Sequence, residues 1–315
     1  MKHLYILSVL WLLFVNCNGP KAQKTGEAET QMEAGSDLPP AFRMITIPSI
    51  LVEPDERAEY LVKHYWDNFN FSDTSYIHFP DITEQAFVDY LDIMPYTATS
   101  VVSWSVRNML EKAEIEKKVF LYFTELYEKY LYDPNSPLRN EEFFIPVLET
   151  MLASPVVEEK VRPAYLLELA KRNRTGDKAA NFTYTLADGR EATLHSVVSH
   201  YTLLFFYNPD CHNCKEVSEQ LKASLSVQYL IKENKLKILA VYPDEDLKAW
   251  KDYIPYVPEE WINAYDATAR LKDEEVYDLK AIPTIYLLDK EKAVLLKDPA
   301  FEALEHYLQN QITQQ

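Results

Sequence analysis

Glycine is scarce in this chain, five residues in 315, and three of the five fall between 18 and 40. The other two, Gly176 and Gly189, cannot build a Gly-x-Gly-x-x-Gly turn, which excludes a dinucleotide-binding loop of that type. Cysteine is scarcer still, with Cys17, Cys211 and Cys214 alone. The histidines near the close pair, His195, His200, His212 and His306, show no paired spacing, so a four-ligand zinc site would lack half its ligands and no metal is expected. Basic residues are outnumbered, 32 against 49 acidic ones, for a net charge of −17, and no basic run is segregated from the rest. A phosphate backbone would be repelled, so nucleic acid is excluded as a partner. Nor is there an internal repeat or a long low-complexity run, and the apolar stretch 4–15 is too short to cross a bilayer.

That stretch has another use. Lys2 and His3 precede it and Cys17 follows it, the layout of a secretory signal over 1–17. The sequence Phe14-Val15-Asn16-Cys17 resembles the end of a bacterial lipoprotein signal, although that pattern usually has Leu three places before the cysteine and a small residue directly before it. The resemblance implies lipidation at Cys17 and membrane attachment through the N-terminal lipid. It places the protein in the cell envelope of a Gram-negative bacterium, on the periplasmic side. Residues 18–41, polar and without an aromatic side chain up to position 40, are expected to form a flexible tether. With Cys17 lipidated, only Cys211 and Cys214 remain, and no cysteine is left over for a structural bridge.

The composition beyond the tether, 47% hydrophobic and 13% aromatic over the whole chain, is that of a folded protein. Between 42 and 177 the apolar spacing is helical. Ala58, Leu61, Val62, Tyr65, Trp66 and Phe69 recur at steps of three and four, as do Val119, Phe120, Phe123, Leu126, Tyr127, Tyr130 and Leu131. Amphipathic stretches near 84–94, 99–114, 141–152 and 157–172 add further helices, and Asp133-Pro134-Asn135-Ser136-Pro137 marks a break. The expectation is an all-α domain whose aromatic stripes form a core. His64 and His78 stand alone in it, and it holds no catalytic constellation.

The pattern changes over 178–315. Segments 182–186 and 191–194 flank Asp188-Gly189, which predicts a tight hairpin with positive φ at both central positions. The continuous apolar run 201–207 predicts a buried parallel strand. A helix over about 212–233, strands at 237–242 and 261–265, a helix near 268–279, strands at 284–289 and 293–297 and a last helix over about 300–312 complete an α/β domain.

Where the run 201–207 meets the first of these helices stand Asn208-Pro209-Asp210 and then Cys211-His212-Asn213-Cys214. Sulfur exchange needs a thiolate at neutral pH and a second thiol near enough to resolve the mixed disulfide. A Cys-x-x-Cys pair at a helix start supplies both, because the first sulfur meets unpaired N–H groups and the positive end of the helix dipole while the second sits one turn in. Cys211 is therefore the expected attacking thiol and Cys214 the resolving one. The intervening His212 and Asn213 tune the pair: a protonated or donating His212 favours the thiolate, the neighbouring Asp210 opposes it, and an imidazole pointing to solvent would do neither.

Leu203-Leu204-Phe205-Phe206-Tyr207 before Cys211-His212-Asn213-Cys214-Lys215, with Ala281-Ile282-Pro283-Thr284-Ile285 about seventy residues later, resembles the thioredoxin superfamily. The leading hairpin and the long interval before Pro283 are similar to its TlpA-like branch, the envelope thiol-disulfide oxidoreductases. The helical region resembles the uncharacterised N-terminal domains of exported bacterial lipoproteins of that kind. The resemblance implies a thioredoxin-like mixed sheet flanked by helices, a cis Pro283, and a backbone at Ile282 that pairs with substrate. It implies a protein disulfide as substrate, acted on in the reducing direction. A dithiol electron-donor protein, soluble or membrane-embedded, would reset the pair with no cofactor.

Four positions depart from the relatives. Thioredoxin carries a buried acid six residues before its first cysteine, where this chain has Phe205, and Glu216 lies one position off the helix glutamate of some TlpA-like reductants. Peroxiredoxins need a hydroxyl residue three before the cysteine and a proline two further back, where this chain has Asn208 and Phe206, so peroxidase activity is not expected. An alternative from another class is a partner-binding or assembly module whose aromatic helical region grasps a partner and whose cysteine pair is redox-inactive or holds a metal.

Overall fold

The stripes of the first half become helices that open at local start signals. In the computed structural model the described residues are 42–313; the signal over 1–17, the tether over 18–41 and the lipidation expected at Cys17 lie outside them. Helix α1 (Pro54–His64) begins with proline, carries Asp55 and Glu56 in its first turn and ends with Lys63 and His64, each suiting the helix dipole. There follow α2 (Pro80–Ile93), α3 (Thr99–Ala113), α4 (Lys117–Tyr127), α5 (Glu141–Ala153) and α6 (Val161–Ala170). A wider π turn, Glu128–Tyr132, extends α4. Asn140 opens α5 by accepting from the Phe143 N–H at 3.2 Å.

The stripe expected to run on to Phe69 stops being helical at His64, and turns carry Trp66 and Phe69 back onto Phe123, ring centroids 5.2 and 5.5 Å away. Phe87, Phe120, Phe123 and Tyr127 are fully buried at the centre. Tyr90 and Ser105 pair there, hydroxyl to hydroxyl at 2.7 Å, whereas the Tyr65 hydroxyl and the Trp66 indole N–H are buried without a hydrogen-bond partner among the described residues.

The second half forms a seven-stranded mixed sheet among the described residues: β1 (Thr183–Leu186), β2 (Glu191–Thr193), β3 (Tyr201–Phe206), β4 (Leu236–Tyr242), β5 (Ile262–Tyr265), β6 (Thr284–Leu288) and β7 (Val294–Lys297), in the order β2-β1-β5-β4-β3-β6-β7. Strands β3, β4 and β5 are parallel, and the rest pair antiparallel. Alternation along β3 sends Leu203 and Phe205 to one face and Leu204 and Phe206 to the other. The first face packs under α7 (His212–Ala223), α8 (Leu225–Lys232), α9 (Leu247–Tyr253) and α11 (Phe301–Thr313). The second is covered by Phe182, Leu194, Leu271 and Tyr277. The chain passes from helices to sheet beside β7, where the Gly176 and Ala179 N–H groups donate to the carbonyls of Val294 and Lys292 at 2.8 Å. Helices and sheet belong to one compact unit.

Several elements differ from expectation. The hairpin turn is a four-residue connection in which Gly189 alone has positive φ, +84°, and the Leu186 N–H bonds the Arg190 carbonyl at 2.9 Å. The helix expected over 212–233 is two helices broken at Ser224, and the one near 268–279 shrinks to α10 (Arg270–Asp273). Helix α9 was not foreseen.

Candidate active site

The register of the sheet assembles the site. Phe206, the last residue of β3, pairs with Thr284, the first of β6, so residues 281–283 fall just past the strand end from which the chain turns toward Cys211. The Ile282–Pro283 peptide is cis, as the resemblance implied. Cys211 is the N-cap of α7, its sulfur accepting from the Cys214 N–H at 3.0 Å, while Cys214 lies buried in the first turn. The two are joined as a disulfide with Cα atoms 5.2 Å apart. The carbonyl oxygen of Ile282 stands 3.3 Å from the Cys211 sulfur. Cys211, Cys214, Ile282 and Pro283 thus come together, with Cys211 half-buried and its outer side open. Once the pair is reduced, the helix N-terminus and the Cys214 N–H both favour the Cys211 thiolate.

The other expected residues line the rim. His212 is 84% exposed and turns outward to Glu216, Nε2 to Oε1 3.2 Å, so its imidazole faces solvent, away from the sulfur. Asn213 and Asp210 are exposed as well. The conflict of sign between His212 and Asp210 therefore acts through solvent and is weakened there. Phe205 occupies the place of the thioredoxin acid and stacks on Tyr207 at 5.6 Å.

Sequence reasoning missed the polar group in this layer. Asn263 on β5 accepts from the Tyr207 hydroxyl at 2.8 Å and from the Trp250 indole N–H at 3.2 Å. Burial raises the Tyr207 phenol above its ordinary range, so it stays protonated and donates. An isolated Asn in a short strand carries no signal of this in sequence. A shallow groove of about 460 Å³ lies beside the motif, lined by Asp210, Lys215, Asp246, Asp252, Tyr253 and Tyr256 among others. Among the described residues no three or more His, Cys, Asp or Glu side chains are gathered so as to hold a metal ion.

A strand, a cysteine-capped helix and a proline loop meeting at one end of a mixed sheet define a thioredoxin-like protein. The chain belongs to that family: a family model described as thioredoxin-like matches residues 199–294, and one described as a domain of unknown function (DUF5106) matches residues 16–173. The solved structure of a thioredoxin-like protein from Bacteroides caccae is 55% identical, covers 85% of this chain and 98% of its own, and superposes with a TM-score of 0.82. The C-terminal domain of an uncharacterized protein from Bacteroides fragilis is 50% identical over 44% of this chain and 98% of its own, TM-score 0.43. Among curated proteins none matches.

Proposed function

We propose that the protein is a thiol-disulfide oxidoreductase of the cell envelope that reduces protein disulfides. The observation that carries this reading is the Cys211 sulfur at the N-terminus of α7, within 3.0 Å of the Cys214 N–H and 3.3 Å of the Ile282 carbonyl. The Cys211 thiolate attacks one sulfur of the substrate disulfide, forming a mixed disulfide and releasing the other substrate sulfur as a thiolate that takes up a proton. Cys214, deprotonated, then attacks Cys211, and the substrate leaves with both thiols while the enzyme pair is oxidised. A separate dithiol protein returns the two electrons. The Ile282 and Pro283 backbone supports the substrate strand beside the sulfur. Export and lipidation at Cys17 would hold this chemistry at the periplasmic face of the membrane.

The test is a disulfide-linked peptide incubated with purified protein and a small dithiol donor. Wild type is expected to accelerate reduction. Cys211→Ser is expected to fall to the uncatalysed rate, and Cys214→Ser to accumulate a mixed disulfide with the peptide, visible by mass spectrometry. Turnover that survives Cys211→Ser overturns the proposal.

A further inference from the structure

Between the end of α10 at Asp273 and the start of β6 at Thr284 the chain has no regular secondary structure, yet this segment delivers Ile282 to the Cys211 sulfur. A loop that pairs with substrate must be held by something else. The helical region does much of the holding. The guanidinium of Arg172 donates to the carbonyls of Glu274, at 3.1 Å, and Glu275, and the Asn173 amide donates to the Val276 carbonyl at 2.8 Å. The Tyr165 hydroxyl donates to the Glu275 carboxylate. Closest to the site, the Lys280 ammonium donates to Glu141 at the first turn of α5 and stands 4.0 Å over the Tyr132 ring. Its third partner is Asp278 at 3.0 Å.

Lys280 is two residues from Ile282, and the ion pair is enclosed, with Lys280 at 16% and Glu141 at 10% side-chain exposure. Glu141 is gripped from a second side by Lys297 of β7 at 2.7 Å. Burial alone would raise the Glu141 carboxyl, and the two lysines hold it below its usual range, ionised. An enclosed pair bonded on both sides fixes position in a way a surface pair does not.

We infer that the helical region positions the substrate-pairing loop of the thioredoxin-like domain, with Glu141 acting through Lys280 as the positioning contact. This rests on the oxidoreductase reading above and gives the otherwise unexplained helical region a part in it. The sulfur itself is held by α7 and needs no help from Glu141. Loss of the contact should therefore weaken substrates that use the loop and spare those that meet only Cys211.

The experiment compares two substrates, a disulfide-linked peptide and a small aromatic disulfide that has no backbone to pair. In Lys280→Met the methionine keeps the contact with Tyr132, and Glu141 keeps Lys297. The expected result is a KM for the peptide raised about tenfold, with kcat and the small-disulfide rate within about twofold of wild type. Lys280→Arg, which keeps the charge, should restore most of the KM. Should Lys280→Met fail to fold by circular dichroism, Glu141→Gln takes its place and is expected to raise the peptide KM in the same direction. An unchanged KM, or a parallel fall with both substrates, overturns the inference while leaving the oxidoreductase reading standing. A wild-type protein inert to both substrates overturns the two together.

Discussion

Asp298 lies at the seam between helices and sheet, and burial pushes its carboxyl up to about 6, with Arg139 at 2.9 Å opposing and Glu141 reinforcing the rise. Its ordinary value is 3.8. The folded protein therefore binds a proton here more readily than the unfolded chain, and the stability this lends is fully present below 3.8 and lost as pH rises through about 6. Asp278, also raised by burial, acts with the same sign. Glu141, lowered, has the opposite sign, contributing above its ordinary 4.5 and losing that contribution only as pH falls through its lower folded value. Asp298→Asn should thus flatten the pH dependence of the urea midpoint between pH 4 and 7, removing on the order of 2–3 kcal/mol of the wild-type change. A variant that tracks wild type across that window would contradict the assignment. None of this was visible in the sequence, where Asp298 is one acid among many. The cysteine pair was legible because spacing alone puts two sulfurs one turn apart. The surroundings that decide how His212, Asp210 and Lys280 behave come from segments far away along the chain.

At the scale of elements, the strands and the cysteine-bearing helix were legible because β3 is a fully buried run and α7 an amphipathic stripe. The expected helices that came out short or broken share one cause: apolar spacing that suits a helix was recruited by something else. Leu271 and Tyr277 pack on the second face of the sheet from a four-residue helix and the coil after it, and positive φ at Ala269 and Glu275 brackets that helix. The stripe over 212–233 divides at Ser224, whose side chain accepts from the Val227 N–H at 3.0 Å to start α8 and donates to Glu305 of α11 at 2.5 Å. Ser226 donates to the same carboxylate at 2.7 Å. The break lets α8 turn onto α11 instead of continuing along the α7 axis. Ser224→Ala removes both a cap and a hydroxyl that satisfies Glu305, and is expected to lower stability by about 1–2 kcal/mol. A denaturant titration that shows no change would mean that the break is held by packing alone.

At the scale of the whole molecule, an acidic chain with net charge −17 keeps its seam neutral. Arg139, Glu141, Asp278, Lys280, Lys297 and Asp298 gather there with side-chain exposures of 19% or less, three of each sign. Arg139 and Glu141 come from the helical region and the other four from the sheet domain, and the pairs Arg139–Asp298, Lys280–Glu141 and Lys297–Glu141 all cross between them. Burial of such charges is unfavourable unless every one keeps its partner, and removing a single partner from an enclosed pair typically lowers stability by about 3–5 kcal/mol. Two consequences follow from that asymmetry. Wild type should unfold in one calorimetric transition, because helices cannot leave without uncovering lysines of the sheet. Glu141→Ala leaves Lys280 and Lys297 facing each other and should show the full loss, whereas Glu141→Ala combined with Lys297→Met relieves that repulsion and should recover part of it, a non-additive cycle. Two separate transitions in wild type, or strictly additive effects in the cycle, would show that the halves are neighbours that do not share their stability.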